Sequence, residues 1–260
     1  MTAPAKARPR VGLFVTCLVD VMRPSVGFAA ARLIEQSGCD VDVPMGQTCC
    51  GQPAYNSGDK PTARDLACQT IQAFKDHDYV VAPSGSCAGM LKAHYPELME
   101  GDRFWSDRAK AFAAKVHELV SFLVDVRGMK SVDAAFEGRV TYHDSCSGLR
   151  ELGVREQPRK LLRTVRGLEL VELNEADVCC GFGGTFSVKY PDISNAIVTK
   201  KTDHVSATGA DLLLAGDLGC LMNMAGKLKR QGRATAVRHV AEVLAGELKD
   251  PPIAAPEEKP

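Results

Sequence analysis

The sequence has no excess of either charge: 32 lysines and arginines balance 32 aspartates and glutamates over 260 residues. That balance leaves no basic footprint for nucleic acid and no polybasic stripe for an anionic membrane. No apolar run approaches the length of a membrane span. No G-x-G-x-x-G directly follows a strand-like run, and no G-K-[ST] is present. Flavin, nicotinamide and nucleotide-phosphate fingerprints are therefore missing. No C-x-x-C occurs either, which removes the usual zinc-knuckle pattern. The N-terminal "KARPR" with "VGLFVTCLV" imitates a secretory leader, but Asp20 and Arg23 interrupt it before any cleavage site. A similar segment, "GRVTYHDSC", recurs deep inside the chain. The expectation is a cytoplasmic protein with no nucleic-acid partner and no membrane span.

What is present is cysteine. Ten cysteines in a reducing compartment read as metal or redox chemistry rather than a disulfide framework. Eight of them repeat. Cys17 is followed after 32 residues by Cys49-Cys50-Gly51, then by Cys87. Cys146 is followed after 33 residues by Cys179-Cys180-Gly181, then by Cys220. The four offsets between the copies are 129, 130, 130 and 133, a strong sign of internal duplication. Cys39 and Cys68 have no counterparts and read as small buried hydrophobes.

Each copy alternates strand-like and helix-like runs. In the first, "RVGLFVTC" reads as a strand, "PSVGFAAARLIEQSG" as a helix and "CDVDVP" as a second strand. The CCG loop follows, then a helix from Lys60 and the strand "YVVAPSG" with Cys87 behind it. The second copy gives "GRVTYHD", "QPRKLLRTVRG", "LELVEL", its CCG loop, "DISNAIVTKKTDHVSATG" and "DLLLAGD". The copies end alike, in "VHELVSFL" and "VRHVAEVL". Such alternation predicts an α/β protein of two tandem, pseudo-symmetric repeats with Rossmann-like parallel sheets. The first repeat is expected over residues 10–127 and the second over 138–248, with disordered tails at 1–9 and 249–260. The cysteine loops then lie at the C-terminal strand edges, where such sheets bind ligands.

Three loops can thus bring four thiols to one place in each copy. Neighbouring cysteines serve one site only if the chain bends after them, and Gly51 and Gly181 permit that bend. These glycines also let backbone N–H groups approach the sulfurs, as a cluster's charge requires. Four thiolates suit a [4Fe–4S] cluster or a tetrahedral zinc ion. A redox disulfide within a CC pair is a further reading. So is a nucleophilic Cys17 or Cys146, although only Cys146 has a nearby histidine, His143. His143 and Asp144 read first as buried hydrogen-bonding groups and second as groups around a centre that handle protons.

The motif Cys…CCG…Cys, twice over, resembles the cysteine-rich CCG domain. That domain recurs in the B subunit of heterodisulfide reductase and in the C subunit of anaerobic glycerol-3-phosphate dehydrogenase. The longer strings "LFVTCLVD", "GQTCCGQPAYNSGD", "PSGSCAGM", "YHDSC" and "CCGFGGTFSVK" are most similar to the lactate utilisation protein A family, over about residues 10–245. The resemblance implies an iron–sulfur subunit of a cytoplasmic oxidoreductase that converts L-lactate to pyruvate. It implies two partner subunits, one of them ferredoxin-like, and any hydride chemistry on a partner. Cys17, Cys49, Cys50 and Cys87 would ligate one cluster, and Cys146, Cys179, Cys180 and Cys220 the other. In the heterodisulfide reductase relative the last cysteine belongs to a C-x-x-C. Here Met90 and Asn223 stand at that place, which favours a cubane, or zinc in one copy, over five-thiolate clusters. Ser147 stands where relatives of this branch often carry histidine. No catalytic residue is assigned. A zinc-stabilised scaffold and a thiol–disulfide protein remain the competing classes.

Overall fold

The structure, a computed structural model, describes residues 7–255. One sheet contains β1 (Arg10–Leu13), β2 (Asp40–Asp42), β3 (Tyr79–Ala82) and β4 (Val116–Glu118), in the order β2-β1-β3-β4. The other contains β5 (Ala135–His143), β6 (Arg166–Leu170), β7 (Leu212–Ala215) and β8 (Ala236–His239), in the order β6-β5-β7-β8. Every pairing is parallel. The chain is thus two tandem Rossmann-like repeats, each with its order reversing beside the first strand, where such sheets form a crevice.

Strand alternation decides how the repeats join. Val81 of β3 and Leu212 and Leu214 of β7 point into one core. Their neighbours Val80 and Ala82 point into a second core, and Leu213 and Ala215 into a third. Successive side chains on a strand face opposite ways, so each sheet has one inner and one outer face. The inner core is shared by both repeats. Helix Pro24–Gln36 buries Val26, Ala29, Ala30, Leu33 and Ile34 there and packs against helix Val240–Ala245 from the other repeat. The burial of one continuous apolar layer between two sheets makes the repeats one folding unit.

The structure adds to the sequence-based expectations and corrects some of them. The endings "VHELVSFL" and "VRHVAEVL" each begin with a fourth strand, β4 and β8, and then turn into a helix. These strands are only three and four residues long, and their turns are made by Glu118 and His239, whose side chains cap the helices that follow. The helix expected over "QPRKLLRTVRG" ends at Leu162, because β6 already begins at Arg166. Cys17 does not end a strand; it opens helix Cys17–Met22, capped by Thr16.

The tails also differ. Residues 1–6 and 256–260 of the expected tails lie outside the described residues. Residues 7–9 and 249–255 are placed. Arg8 pairs with Asp40 at 3.1 Å, and the Asp40 N–H donates to the Pro9 carbonyl at 2.9 Å. Arg23 donates to the Pro251 carbonyl at 2.7 Å, and Arg238 to that of Asp250 at 2.6 Å. The Ile253 N–H donates to the Val237 carbonyl on β8 at 2.8 Å. The proline- and charge-rich composition hid this, because the partners are main-chain groups that any sequence carries.

Candidate metal centre

All eight repeated cysteines stand at the C-terminal edges of the two sheets. Cys17 and Cys146 each open a short helix after the first strand of their repeat. Cys87 lies in helix Gly85–Gly89 after β3, and Cys220 in helix Leu218–Arg230 after β7. The Ser84 hydroxyl accepts from the Cys87 N–H at 3.2 Å, and the Asp217 carboxylate from that of Cys220 at 3.4 Å. These caps fix the first turn of each helix, and with it the position of the cysteine it carries.

The CC pairs complete each set. Gly51 and Gly181 both adopt φ = +83°, the left-handed bend that lets two adjacent thiols face one place. In the first set the sulfurs form a chain of contacts from Cys17 to Cys49, Cys50 and Cys87, with Cys50 Sγ and Cys87 Sγ 3.5 Å apart. In the second set the chain runs from Cys146 through Cys179 and Cys180 to Cys220. Gly181 donates its backbone N–H to Cys179 Sγ at 3.3 Å. Hydrogen bonds among the thiols hold Cys49 and Cys179 well below the ordinary thiol range and push Cys17, Cys50, Cys146 and Cys180 above it, so each set shares its protons along the chain of sulfurs. Soft donors at convergent positions, one already biased to thiolate, fit a thiophilic metal or cluster. Cys39 and Cys68 stand apart: Cys39 is buried in the shared core and Cys68 is half-buried on a helix.

The two edges meet. The Gly85 N–H donates to the Gly216 carbonyl at 3.1 Å, and Ser84 donates to Asp217 at 3.0 Å. Ser84 and Asp217 are the equivalent caps of the two copies, so the contact joins like to like. Approach is so close that a Cβ on Gly85 would stand 2.6 Å from Ser145 Oγ and 2.9 Å from the Gly148 Cα. A cavity of about 230 Å³ lies beside the first set. Its four thiols form one wall, and Phe182, Thr185, Val188 and Leu218 of the second repeat form another. Among the described residues no lysine, arginine or histidine lines it, and Asp217 is its one acid.

The copies differ in what surrounds the sulfurs. Phe14 and Ile71 stand in the first repeat where His143 and Lys201 stand in the second. His143 is fully buried at the end of β5, and its Nδ1 lies 3.1 Å from the Ala176 carbonyl. Burial, with help from the Lys201 charge, lowers it to about 4, so the ring is neutral. A carbonyl only accepts, so Nδ1 carries the proton and Nε2 is bare. Nε2 is buried without a hydrogen-bond partner. A ring nitrogen of His143 and the sulfurs of Cys180 and Cys220 lie within 4.8 Å of one another. Asp144, by contrast, is spent on structure: Arg159 donates to both its oxygens, at 2.8 and 2.9 Å. At the positions lacking a fifth cysteine, Met90 is buried in the outer core, and Asn223 donates to the Cys180 carbonyl at 2.9 Å. The sequence reading of His143, first as a buried hydrogen-bonding group and second as a proton-handling group around a centre, did not foresee its unpartnered nitrogen. The signal was available as a histidine opposite a phenylalanine in an otherwise matched repeat.

The chain is similar to known proteins over most of its length. Residues 11–92 and 140–225 match the CCG family, described as a cysteine-rich domain. Lactate utilization protein A of Geobacillus sp. (strain WCH70) is 53% identical over 235 residues, covering 90% of this chain and 98% of that protein. Lactate utilization protein A of Bacillus subtilis (strain 168) is 49% identical, with the same coverage. A hypothetical protein from Helicobacter pylori, known from a crystal structure, aligns over 94% of this chain with a TM-score of 0.62 at 11% identity. The chain spans half the length of that protein, and the likeness is one of fold. Among the described residues no helix is long and apolar enough to cross a membrane. With its duplicated Cys…CCG…Cys sets and these relatives, the chain belongs to the lactate utilization protein A family of cysteine-rich CCG proteins.

Proposed function

We propose that the chain is the iron–sulfur, electron-carrying subunit of a cytoplasmic complex that oxidises L-lactate to pyruvate. The observation that carries this reading is the pair of four-thiol sets, each drawn from three loops at a sheet edge and each with its sulfurs in one chain of contacts. Cys17, Cys49, Cys50 and Cys87 hold one [4Fe–4S] cluster, and Cys146, Cys179, Cys180 and Cys220 the other, with Gly51 and Gly181 shaping the loops. When bound, such a cluster supplies one-electron transfer. The names of the relatives support the link to lactate. The cavity beside the first set offers no cation to a substrate carboxylate, which supports placing lactate on one of two partner subunits. The second partner is ferredoxin-like and passes electrons on. Cys17 is exposed, giving the first set an open side for exchange.

A second reading, structural zinc, draws on spacing. Sulfurs around one tetrahedral zinc ion stand about 3.8 Å apart, from bonds of about 2.3 Å. Cys50 and Cys87 at 3.5 Å are near that value. Iron, sulfide and zinc content of the anaerobically purified chain separates the readings. Iron with sulfide, and a visible band bleached by dithionite, are expected. Cys50→Ser loses the metal of its own set, whereas Cys68→Ser keeps the full content. Stoichiometric zinc without iron overturns the electron-carrying role.

A further inference from the structure

The repeats are built alike, yet one buried position beside the sulfurs differs in donor capacity. Just past β1 stands Phe14, and at the equivalent position, the last of β5, stands His143. Both are fully buried. Phe14 packs against Phe74, with ring centroids 5.8 Å apart, and offers no donor. His143 is held by its Nδ1–H on the Ala176 carbonyl, 3.1 Å away. The same carbonyl takes a hydrogen bond from Lys201 Nζ at 3.4 Å. A histidine fixed in this way by a main-chain carbonyl presents its other nitrogen as a ligand, the usual arrangement around metal-bound imidazole. The nitrogen left over, Nε2, is buried without a partner, and the nearby soft donors are Cys180 and Cys220. An orphaned buried acceptor costs free energy unless something meets it.

We propose that His143 is a nitrogen ligand to the metal centre of the second cysteine set. That centre is then bound by sulfur and nitrogen, whereas the first is bound by sulfur alone. The inference rests on the metal reading above and deepens it. His143 is then a fifth donor beside the four thiolates of this set, and a neutral one that adds no negative charge to the centre. The buried Lys201 ammonium, 3% exposed, adds positive charge beside this set where Ile71 stands in the first, and so favours the reduced form of the second centre. The two centres are therefore inequivalent, and electrons reside preferentially on the second.

The test uses Co²⁺ as probe on the full-length, metal-stripped chain under anaerobic conditions. Pulsed electron paramagnetic resonance of the cobalt protein is expected to show a strongly coupled nitrogen. His143→Phe, which copies the first repeat, is expected to abolish that coupling and to weaken Co²⁺ binding at the second set by at least about tenfold. His143→Cys is expected to restore tight binding without the nitrogen signal. Cobalt bound with no strongly coupled nitrogen overturns this inference and leaves the metal reading standing. The same holds if the coupling persists in His143→Phe, or if a folded His143→Cys binds no better than His143→Phe. Failure of the second set to bind cobalt at all overturns both.

Discussion

Arg159→Met tests how the second cysteine loop is held. Arg159 and Asp144 are 5% and 3% exposed, and their side chains meet through two parallel hydrogen bonds of 2.8 and 2.9 Å. Arg159 Nε also meets the Glu172 carboxylate at 3.0 Å, and its Nη1 donates to the Arg155 carbonyl at 2.7 Å. Asp144 lies two residues before Cys146, so the pair ties helix Glu156–Leu162 to the turn that presents the Cys146 sulfur. Methionine keeps much of the volume but leaves the Asp144 carboxylate buried and unpaired. Removing one partner of a buried pair costs about 3–5 kcal/mol, most of it from the orphaned charge. In a chain of this size each kcal/mol moves the melting temperature by about 2 °C, so a fall of about 6–10 °C is expected. The assay is thermal unfolding followed by circular dichroism, with metal affinity measured in parallel. Adding Asp144→Asn to Arg159→Met should recover part of the loss, because the orphan charge is gone. A fall under about 2 °C, or a double variant no better than the single one, would refute the buried-pair account.

Other outcomes follow from the packing. Gly85→Ala sets a Cβ against Ser145 Oγ and the Gly148 backbone where the repeats meet, and should cost about 1–3 kcal/mol in urea unfolding. A loss below the error of the measurement would mean that the contact yields freely. Burial raises Glu118 to about 7, above its unfolded value, so its share of stability is full below about pH 4.5. That share is lost as pH rises towards 7, by roughly 3 kcal/mol in all. Glu118→Gln should therefore flatten the decline in unfolding free energy over this window, and an unchanged slope would rule Glu118 out as its source.

Much of the site was legible because duplication supplies its own control. Cys17 and Cys146 stand out only when the 129-residue offset is laid beside that of the CC pairs. Gly51 was expected to bend the chain, and its φ of +83° is matched by Gly181. Short strands were harder to read. β4 spans three residues and carries no alternation long enough to separate it from the helix that follows. The placed residues 249–255 escaped notice because main-chain carbonyls capture Arg23 and Arg238 whatever side chains they carry.

The sequence by itself determined the class of fold, the eight thiols and their division into two sets. Strand–helix alternation and repeat spacing are local or periodic properties, and they survive without coordinates. Only the tertiary structure decided that the repeats share one core and that Ser84 meets Asp217 across their junction. It alone distinguished Asp144, consumed by Arg159, from its neighbour His143, which lies near Cys180 and Cys220 and whose Nε2 has no hydrogen-bond partner among the described residues. Adjacent residues on a strand face opposite sides, so their fates depend on what each side packs against, and one-dimensional spacing does not record that.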